Sequence, residues 1–163
     1  MRPTVRIFAE RDLPAVIGLS LRAWAPVFES LAGMLGPSGV FPLLQPDWRA
    51  GQAIAVTEAC TAEGAHAWVA DADGEVAGFV VVGLDPSSGI GEIRMIAVDP
   101  GHQRRGIGST LTSFAVGWMR DNGMAVAMVE TGGDPGHGPA RRAYEQAGFV
   151  QLPIARYFRK LTE

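Results

Sequence analysis

Residues 92–111, EIRMIAVDPGHQRRGIGSTL, constrain the fold of this chain more than any other stretch. The apolar first part predicts a strand, the DPG that follows predicts a turn, and a helical pattern begins at Gly106. The first N–H groups of a helix have no intrahelical partner and lie at the positive end of the helix dipole. A strand that leads through a glycine-broken loop into a helix therefore predicts a phosphate-binding site.

Three known phosphate-binding patterns compete for this loop. A Walker loop requires a lysine, and none precedes Ser109. A dinucleotide fingerprint requires a small residue where this chain has Leu111, so a nicotinamide-nucleotide site is the weaker alternative. The third pattern, Q/R-x-x-G-x-G/A after a strand, fits QRRGIG at 103–108 completely. On these residues the chain resembles the GNAT-type N-acetyltransferase superfamily, whose members bind the pyrophosphate of acetyl-CoA on this loop.

A second segment strengthens the resemblance. The superfamily typically shows N-x-x-A-x-x-x-Y-x-x-x-G-F after a strand, and residues 137–149 read HGPARRAYEQAGF. Ala140 and Tyr144 match, whereas His137 replaces the usual asparagine. The resemblance implies an α+β fold of element order βααβββαβαβ, in which a mixed, strongly twisted central sheet carries helices on both faces.

Local patterns predict where the individual elements lie. Asp12 and Asp47 are typical helix caps, and Gly123 is a typical helix stop. The expected elements are an edge strand at 5–9, a helix from 13 towards 24, a loop with short helical turns at 25–46, a helix at 47–61, hairpin strands at 66–72 and 75–84, the strand before the phosphate-binding loop, a helix at 106–122, a strand at 125–131, a helix at 140–147 and a last strand at 154–160.

Composition argues against several classes of protein. With 163 residues, 47% of them hydrophobic, the chain is expected to form one domain over residues 1–163. The net charge of −3 argues against a nucleic-acid partner, so Arg104 and Arg105 are interpreted as a local anion site. No apolar run approaches the ~20 residues that span a bilayer, and a signal-peptide core is missing. Together with a single cysteine, Cys60, these features predict a cytoplasmic protein without a membrane partner.

The resemblance also implies roles for individual residues. Tyr144 is the predicted general acid, and the main-chain N–H of Ile96 is the predicted oxyanion donor. The backbone of 96–98 (Ile96, Ala97 and Val98) would bind the pantetheine arm of acetyl-CoA as a mock strand. The predicted phosphate ligands belong to the loop and the first helical turn: Gln103, Arg104, Arg105, Gly106, Ile107, Gly108 and Ser109. His137, Ala140 and Tyr144 complete the predicted cofactor-binding set.

The identity of the general base is left open by the sequence. Glu92 aligns with the strand glutamate that serves as base in the histone-acetylating members, but a glutamate solvated or paired with Arg94 is an equal alternative. Glu130, on the neighbouring strand, is the second candidate. His137 and a bound water are the others, although His137 is more readily interpreted as fixing its glycine-rich loop. The histidines show no metal-ligand spacing, so no metal is expected.

The predicted reaction is direct acetyl transfer from acetyl-CoA, in a ternary complex, to a primary amine of a small molecule or amino-acid-like acceptor. Trp24, Phe28 and Phe41 are candidate acceptor-binding residues, since apolar groups cluster there among helix breakers. Burial beneath the loop, or a homodimer contact, is an equal alternative. A protein N-terminus or lysine as acceptor, and a non-catalytic acyl-CoA sensor, are the competing functions.

Overall fold

The computed structural model describes residues 3–163, which form five strands and five α-helices. Three short 3-10 turns precede or interrupt them at Glu10–Asp12, Pro100–His102 and Pro135–His137. In chain order the elements are β1 (Thr4–Ile7), α1 (Leu13–Leu35), α2 (Phe41–Leu44), α3 (Trp48–Thr61), β2 (His66–Ala72), β3 (Glu75–Asp85), β4 (Ile90–Val98), α4 (Ile107–Asp121), β5 (Val126–Val129) and α5 (Gly138–Gln146).

The five strands form one sheet in the order β1-β2-β3-β4-β5. All pairs are antiparallel except β4 and β5, which are parallel, so the sheet is mixed as predicted. One apolar cluster packs α4 against the sheet through Leu111 and Val80. A second cluster packs α1 and α3 against it through Leu19 and Phe79. Helices therefore cover both faces, which confirms the predicted α+β fold.

A β-bulge at Arg94 decides where β4 and β5 separate. Val81 pairs with Met95 and the next residue of β3 pairs with Ile93, so Arg94 is an extra residue on β4. A bulge bends its strand and increases the local twist. The pairing with β5 ends at the same place, with Ile93 opposite Val129. From the bulge to its end, β4 runs on without β5 paired to it, which leaves an opening between the two strands.

The helix predicted to end near Trp24 is longer than expected. α1 continues through Pro26 to Leu35, so the loop predicted for 25–46 is wrong over its first half. Proline inside a helix removes one hydrogen bond and costs about 3 kcal/mol. Val16 and Phe28, on either side of the proline, are buried, and this burial offsets that cost. With the turn before it, the helix at 10–35 is also long and apolar enough to cross a membrane by length and composition alone.

The predicted last strand, Ile154–Lys160, is wrong. After the turn at Ala147 and Gly148, residues 149–163 form neither a helix nor a strand, and every residue from Val150 onward is exposed. A strand exists only when its main-chain groups pair with a neighbour, and this segment pairs with no strand of the described chain. The other predicted elements are confirmed, including the cap of α3, where the Ala50 N–H donates to Asp47 at 3.1 Å.

Candidate active site

The predicted phosphate loop, residues 99–106, is shaped by hydrogen bonds at its start. A carboxylate oxygen of Asp99 accepts from the Gly101 N–H at 2.8 Å. The Gln103 amide donates back to the Val98 carbonyl at 3.2 Å, so Gln103 closes the loop against the end of β4. Arg104 and Gly106 then adopt left-handed backbone conformations, with φ of +63° and +79°. The loop therefore turns sharply twice before α4 begins.

The first turn of α4 presents unused hydrogen-bond donors. The first hydrogen bond within the helix runs from the Thr110 N–H to the Gly106 carbonyl at 3.0 Å. The N–H groups of Ile107, Gly108 and Ser109 therefore have no partner within the helix. The exposed Arg104 and Arg105 stand immediately before them and add positive charge. This arrangement can bind a diphosphate through main-chain donors at the positive end of a helix dipole.

Gly78 on β3 allows α4 to approach the sheet, and sequence reasoning missed it. A Cβ atom at this position would lie 2.8 Å from the Ala97 carbonyl oxygen, 3.1 Å from Leu111 and 3.3 Å from Ile107. Real Cβ atoms essentially never come this close to backbone, so only glycine fits. A glycine inside an otherwise apolar strand was the signal available in the sequence. Gly78 thereby fixes how closely the first turn of α4 lies against β3.

Arg22 on α1 holds the start of the phosphate loop, and it was also missed. Its guanidinium forms an ion pair with Asp99, whose second carboxylate oxygen binds Gly101. Burial by itself raises the pKa of Asp99, but the Arg22 contact and the hydrogen bond from the Gly101 N–H together outweigh it and hold that pKa below its ordinary value. α1 and the phosphate loop are therefore connected through one ionised carboxylate.

His137 is held by a buried carboxylate. Its Nδ1 hydrogen-bonds to Asp134, which also accepts from the Ser30 hydroxyl at 2.8 Å and from the Gly136 N–H at 3.0 Å. A carboxylate only accepts, so Nδ1 carries the proton and Nε2 of the neutral ring keeps its lone pair. Arg141 donates to the Asp134 carbonyl at 2.8 Å and closes the loop against α5. This network supports the interpretation of His137 as fixing its loop, and it also orients the ring for proton transfer.

We expect Asp134→Asn to destabilise the protein by about 1–3 kcal/mol at neutral pH, because a buried hydrogen-bonding partner is lost. Burial raises the pKa of Asp134, but the His137 and Ser30 contacts lower it below its ordinary value. The stabilisation from the ionised form is therefore present above about pH 4 and disappears as the pH falls through the lowered pKa. Urea unfolding at neutral and acidic pH measures this difference.

Asp47→Asn is the matched control for that measurement. Asp47 caps α3 with its carboxylate, and asparagine caps a helix about equally well. Its stability should therefore stay within about 0.5 kcal/mol of the parent. If Asp134→Asn lowers the free energy of unfolding by the same amount at acidic pH as at neutral pH, the charge on Asp134 contributes nothing to stability.

Tyr144 lies half-buried on α5. Its ring makes an edge-to-face contact with Phe149, with ring centroids 5.9 Å apart. Burial raises the pKa of the Tyr144 phenol, so its proton stays in place at neutral pH. A group that keeps its proton until a stronger base forms beside it is suited to act as a general acid.

One candidate glutamate lies where β4 and β5 are still paired, and the other lies just past the end of that pairing. Glu92 stands opposite Met128 of β5 and is partly exposed, and the exposed Glu130 follows the last residue of β5. In the described part of the chain, Glu92 forms no salt bridge with Arg94. The guanidinium of Arg94 instead lies over Gly83. Along the chain, Glu92 therefore precedes the bulge at Arg94 by two residues, and Glu130 directly follows the last paired residue of β5.

The candidate acceptor-binding residues differ in how much of their surface is already buried by contacts within the chain. Phe28 is buried and stacks on Trp48, with centroids 4.5 Å apart and rings 16° from parallel. Trp24 packs against the α1–α3 cluster. Phe41, at the start of α2, is partly exposed. The contacts of Phe28 and Trp24 support the burial alternative, whereas Phe41 has surface left for an acceptor.

Cys60 is unsuited to covalent catalysis. It is buried on α3, and burial raises the pKa of its thiol to about 11. A thiol needs its thiolate form to attack a thioester, and that form is scarce at neutral pH with such a pKa. Residues 3–163 also contain no group of three His, Cys, Asp or Glu side chains placed to bind a metal ion.

Two known proteins are similar to this chain in sequence. A mycothiol acetyltransferase from Tsukamurella paurometabola is 29% identical over 152 residues, which are 91% of this chain and 48% of that protein. A mycothiol acetyltransferase from Thermomonospora curvata is 33% identical over 87 residues, 53% of this chain and 28% of that protein. The chain therefore spans less than half the length of these curated relatives.

The fold and a family model agree. The crystal structure of a GNAT-family protein from Desulfovibrio desulfuricans superimposes with a TM-score of 0.68 and 26% identity, covering 93% of this chain and 87% of the other. Residues 37–149 match the acetyltransferase (GNAT) family. That range holds the phosphate loop, the separating strands and Tyr144. The chain belongs to the GNAT family of acetyltransferases.

Proposed function

We propose that the protein transfers an acetyl group from acetyl-CoA to a primary amine of a small molecule or amino-acid-like acceptor. The observation that carries this proposal is the opening between β4 and β5 beside the free N–H groups of α4. The opening exposes one edge of a strand, and the helix start supplies donors for a diphosphate. A CoA thioester has both an amide-bearing arm and a diphosphate, and family membership supports the same donor.

The geometry suggests how the donor would lie. Its diphosphate would accept hydrogen bonds from the main chain between Gln103 and Ser109, next to Arg104 and Arg105. Its pantetheine arm would run along β4 at Ile96–Val98, where the main-chain groups that face away from β3 pair with no strand among residues 3–163. The thioester oxygen would then accept a hydrogen bond from the Ile96 N–H, and the sulfur would approach α5. This placement would bring the reacting bond between Tyr144 and the two glutamates.

The chemistry requires the nitrogen to lose two protons and the sulfur to gain one. An alkylammonium has a pKa near 10, so a base must remove the first proton before the nitrogen attacks the thioester carbon. The C–N bond then forms, the positively charged nitrogen gives its second proton to the base or to water, the C–S bond breaks, and the thiolate leaves with the electron pair. Tyr144 would protonate that sulfur, since burial keeps the phenol in its acid form. Between attack of the nitrogen and departure of the thiolate, negative charge on the thioester oxygen would be stabilised by the Ile96 N–H.

A small acceptor is favoured by two considerations. The curated relatives are named for mycothiol, a small molecule. The exposed surface near Phe41 is apolar, with Met34, Leu43 and Leu44 also exposed, and offers little for a polycationic protein segment. A protein N-terminus or lysine and a non-catalytic acyl-CoA sensor are the competing functions.

A panel of amines with acetyl-CoA, read by release of free thiol, tests the proposal. We expect turnover with at least one small primary amine, and calorimetric binding of CoA but not of NAD. Turnover restricted to peptide amines would replace the small acceptor by a protein acceptor. If CoA binds but no amine in the panel raises the rate of thiol release above the rate measured without an acceptor, the result would favour the sensor. Binding of NAD in place of CoA would overturn the proposal.

We expect Glu92→Gln and Glu130→Gln to identify the base through their pH–rate profiles. The glutamate that removes the proton should, when replaced, lower kcat/KM by about 100-fold and abolish its acidic limb. The other substitution should leave the acidic limb in place, and each variant serves as the control for the other. Retention of the parental limb in both variants would leave His137 or a bound water as the base.

A further inference from the structure

One nitrogen of the His137 ring has no partner in the folded chain. Nδ1 donates to the buried carboxylate of Asp134, so Nε2 of the neutral ring keeps its lone pair. Among residues 3–163, no group forms a hydrogen bond with Nε2, and this atom is not closed off from solvent. Nε2 is therefore an accessible proton acceptor.

The ring and its carboxylate are fixed by contacts from distant parts of the chain. Asp134 accepts from the Ser30 hydroxyl of α1 at 2.8 Å, and the same hydroxyl accepts from the Gly136 N–H at 3.1 Å. A Cβ atom on Gly132 would lie 3.0 Å from Cε1 of His137, so the ring packs directly on the backbone at that glycine. A side chain that takes part in proton transfer must be held in one orientation in this way.

The loop that carries His137 joins the elements on which two other candidate groups lie. It begins at Glu130, which follows β5, and it ends at α5, where Tyr144 lies about two turns beyond His137. Among the described residues, Asp134 alone forms an ion pair with the ring, and its negative charge favours a protonated imidazole. The charged residues around the loop are Asp134, Arg141 and Arg142 of α5, Glu29 beside Ser30 on α1, and Glu130.

The proposed reaction leaves one proton without an assigned acceptor. The nitrogen loses its first proton before it attacks, and it loses the second after the C–N bond has formed, when it bears a positive charge. The group that accepted the first proton has become an acid, and it cannot accept another until it has released the first. Tyr144 keeps its own proton for the sulfur. A second acceptor inside the site would complete the turnover without waiting for that release.

We propose that His137 is this second acceptor and that Asp134 is the positioning residue that orients it. The N–H bond of the adduct breaks, its electron pair stays on the nitrogen, and the proton forms a new bond to Nε2. The resulting imidazolium is stabilised by the Asp134 carboxylate, and it gives the proton to water once the product has left. This inference rests on the proposed acetyl transfer and adds a catalytic role for His137 to its role in fixing the loop.

Replacing His137 by asparagine, the usual residue of the superfamily at this position, tests the inference. The amide keeps a hydrogen-bond donor for Asp134 but accepts no proton at neutral pH. With the best amine from the panel, kcat should fall by about 100-fold, and KM for acetyl-CoA should change by less than about threefold. The matched control is His66→Asn, at the start of β2 against Trp118, which should keep kcat within about twofold of the parent.

Two further measurements distinguish proton transfer from loop structure. Imidazole added to His137→Ala should raise kcat by about tenfold, because it can occupy the vacated space and accept the proton, and it should leave the parent unchanged. The ¹⁵N shifts of His137 in the parent at neutral pH should show a proton on Nδ1 and none on Nε2. Asp134→Asn should lose this preference, because its amide can donate to Nδ1 as well as accept from it.

The outcomes separate this inference from the proposed function. A parent that turns over no amine would overturn the proposed function and this inference with it. If the parent turns over an amine and His137→Asn is equally fast, or if imidazole leaves His137→Ala unchanged, only this inference is overturned. A higher KM for acetyl-CoA at an unchanged kcat in His137→Asn, or a proton on Nε2 in the parent, would overturn it as well.

Discussion

Replacing Tyr144 by phenylalanine should lower kcat by about 100-fold, at the lower end of the 10²–10⁴ range for loss of a general acid. The substitution removes one hydroxyl and leaves the ring that packs on Phe149. KM for acetyl-CoA should change by less than about threefold, because the diphosphate and pantetheine contacts proposed above involve other residues. A fall in kcat with KM unchanged indicates an interaction made only in the transition state. Steady-state kinetics with the best acceptor from the amine panel measures both values.

The chain supplies its own control, because it contains only two tyrosines. Tyr157 is 89% exposed and lies outside the proposed catalytic groups. Tyr157→Phe should leave kcat within about twofold of the parent, since it removes the same hydroxyl from a solvated position. Equal kcat values for Tyr144→Phe and the parent would remove Tyr144 from the mechanism and restrict it to packing.

Gly78→Ala and Gly117→Ala should have opposite effects on stability although they make the same chemical change. At position 78 the added Cβ would meet the Ala97 carbonyl oxygen at 2.8 Å, so β3 and β4 must move apart. Overpacking of this kind costs about 1–3 kcal/mol. At position 117, inside α4, nothing lies within 4 Å of the new atom. Alanine there gains about 0.5–1 kcal/mol over glycine from its higher helix propensity.

Thermal unfolding followed by circular dichroism distinguishes the two variants. For a chain of this size, 1 kcal/mol corresponds to about 2–4 °C in Tm. Gly78→Ala should therefore melt about 2–12 °C below the parent, and Gly117→Ala a few degrees above it. Gly78→Ala should also raise KM for acetyl-CoA, because Ile107 and Leu111 would be displaced with the start of α4. A Tm for Gly78→Ala equal to that of the parent would show that the sheet relaxes without cost at this site.

Local sequence patterns were sufficient for the family, the fold class and most element boundaries. QRRGIG at 103–108 and the segment at 137–149 predicted a GNAT fold, and the family match and the mixed sheet confirm it. Asp47, at the start of α3, and Gly123, after α4, mark helix ends correctly because capping depends on residues within one turn. The roles of Tyr144, Glu92 and Glu130 stay predictions until the kinetic experiments are done.

Such local patterns could not predict contacts between residues that are distant in the sequence. Arg22 binds Asp99 across 77 positions of the chain, and Ser30 binds Asp134 across 104. The helix predicted to end near Trp24 continues through Pro26, because the burial of α1 on either side of the proline is decided by packing against the sheet and not by neighbours in sequence. The predicted last strand failed for a related reason, since strand-forming composition does not supply a strand partner.

The sequence by itself determined that this protein has a strand, a glycine-broken loop and a helix start suited to a diphosphate, and it identified the family. These features follow from short-range rules of hydrogen bonding and backbone conformation, which neighbouring residues satisfy without help. Only the tertiary structure decided where β4 and β5 separate, how closely α4 lies on the sheet at Gly78, and that β5 keeps a free edge. Those features depend on which residues, distant in sequence, pack or pair with one another. The free energy of that packing and pairing is gained only when the whole chain has folded.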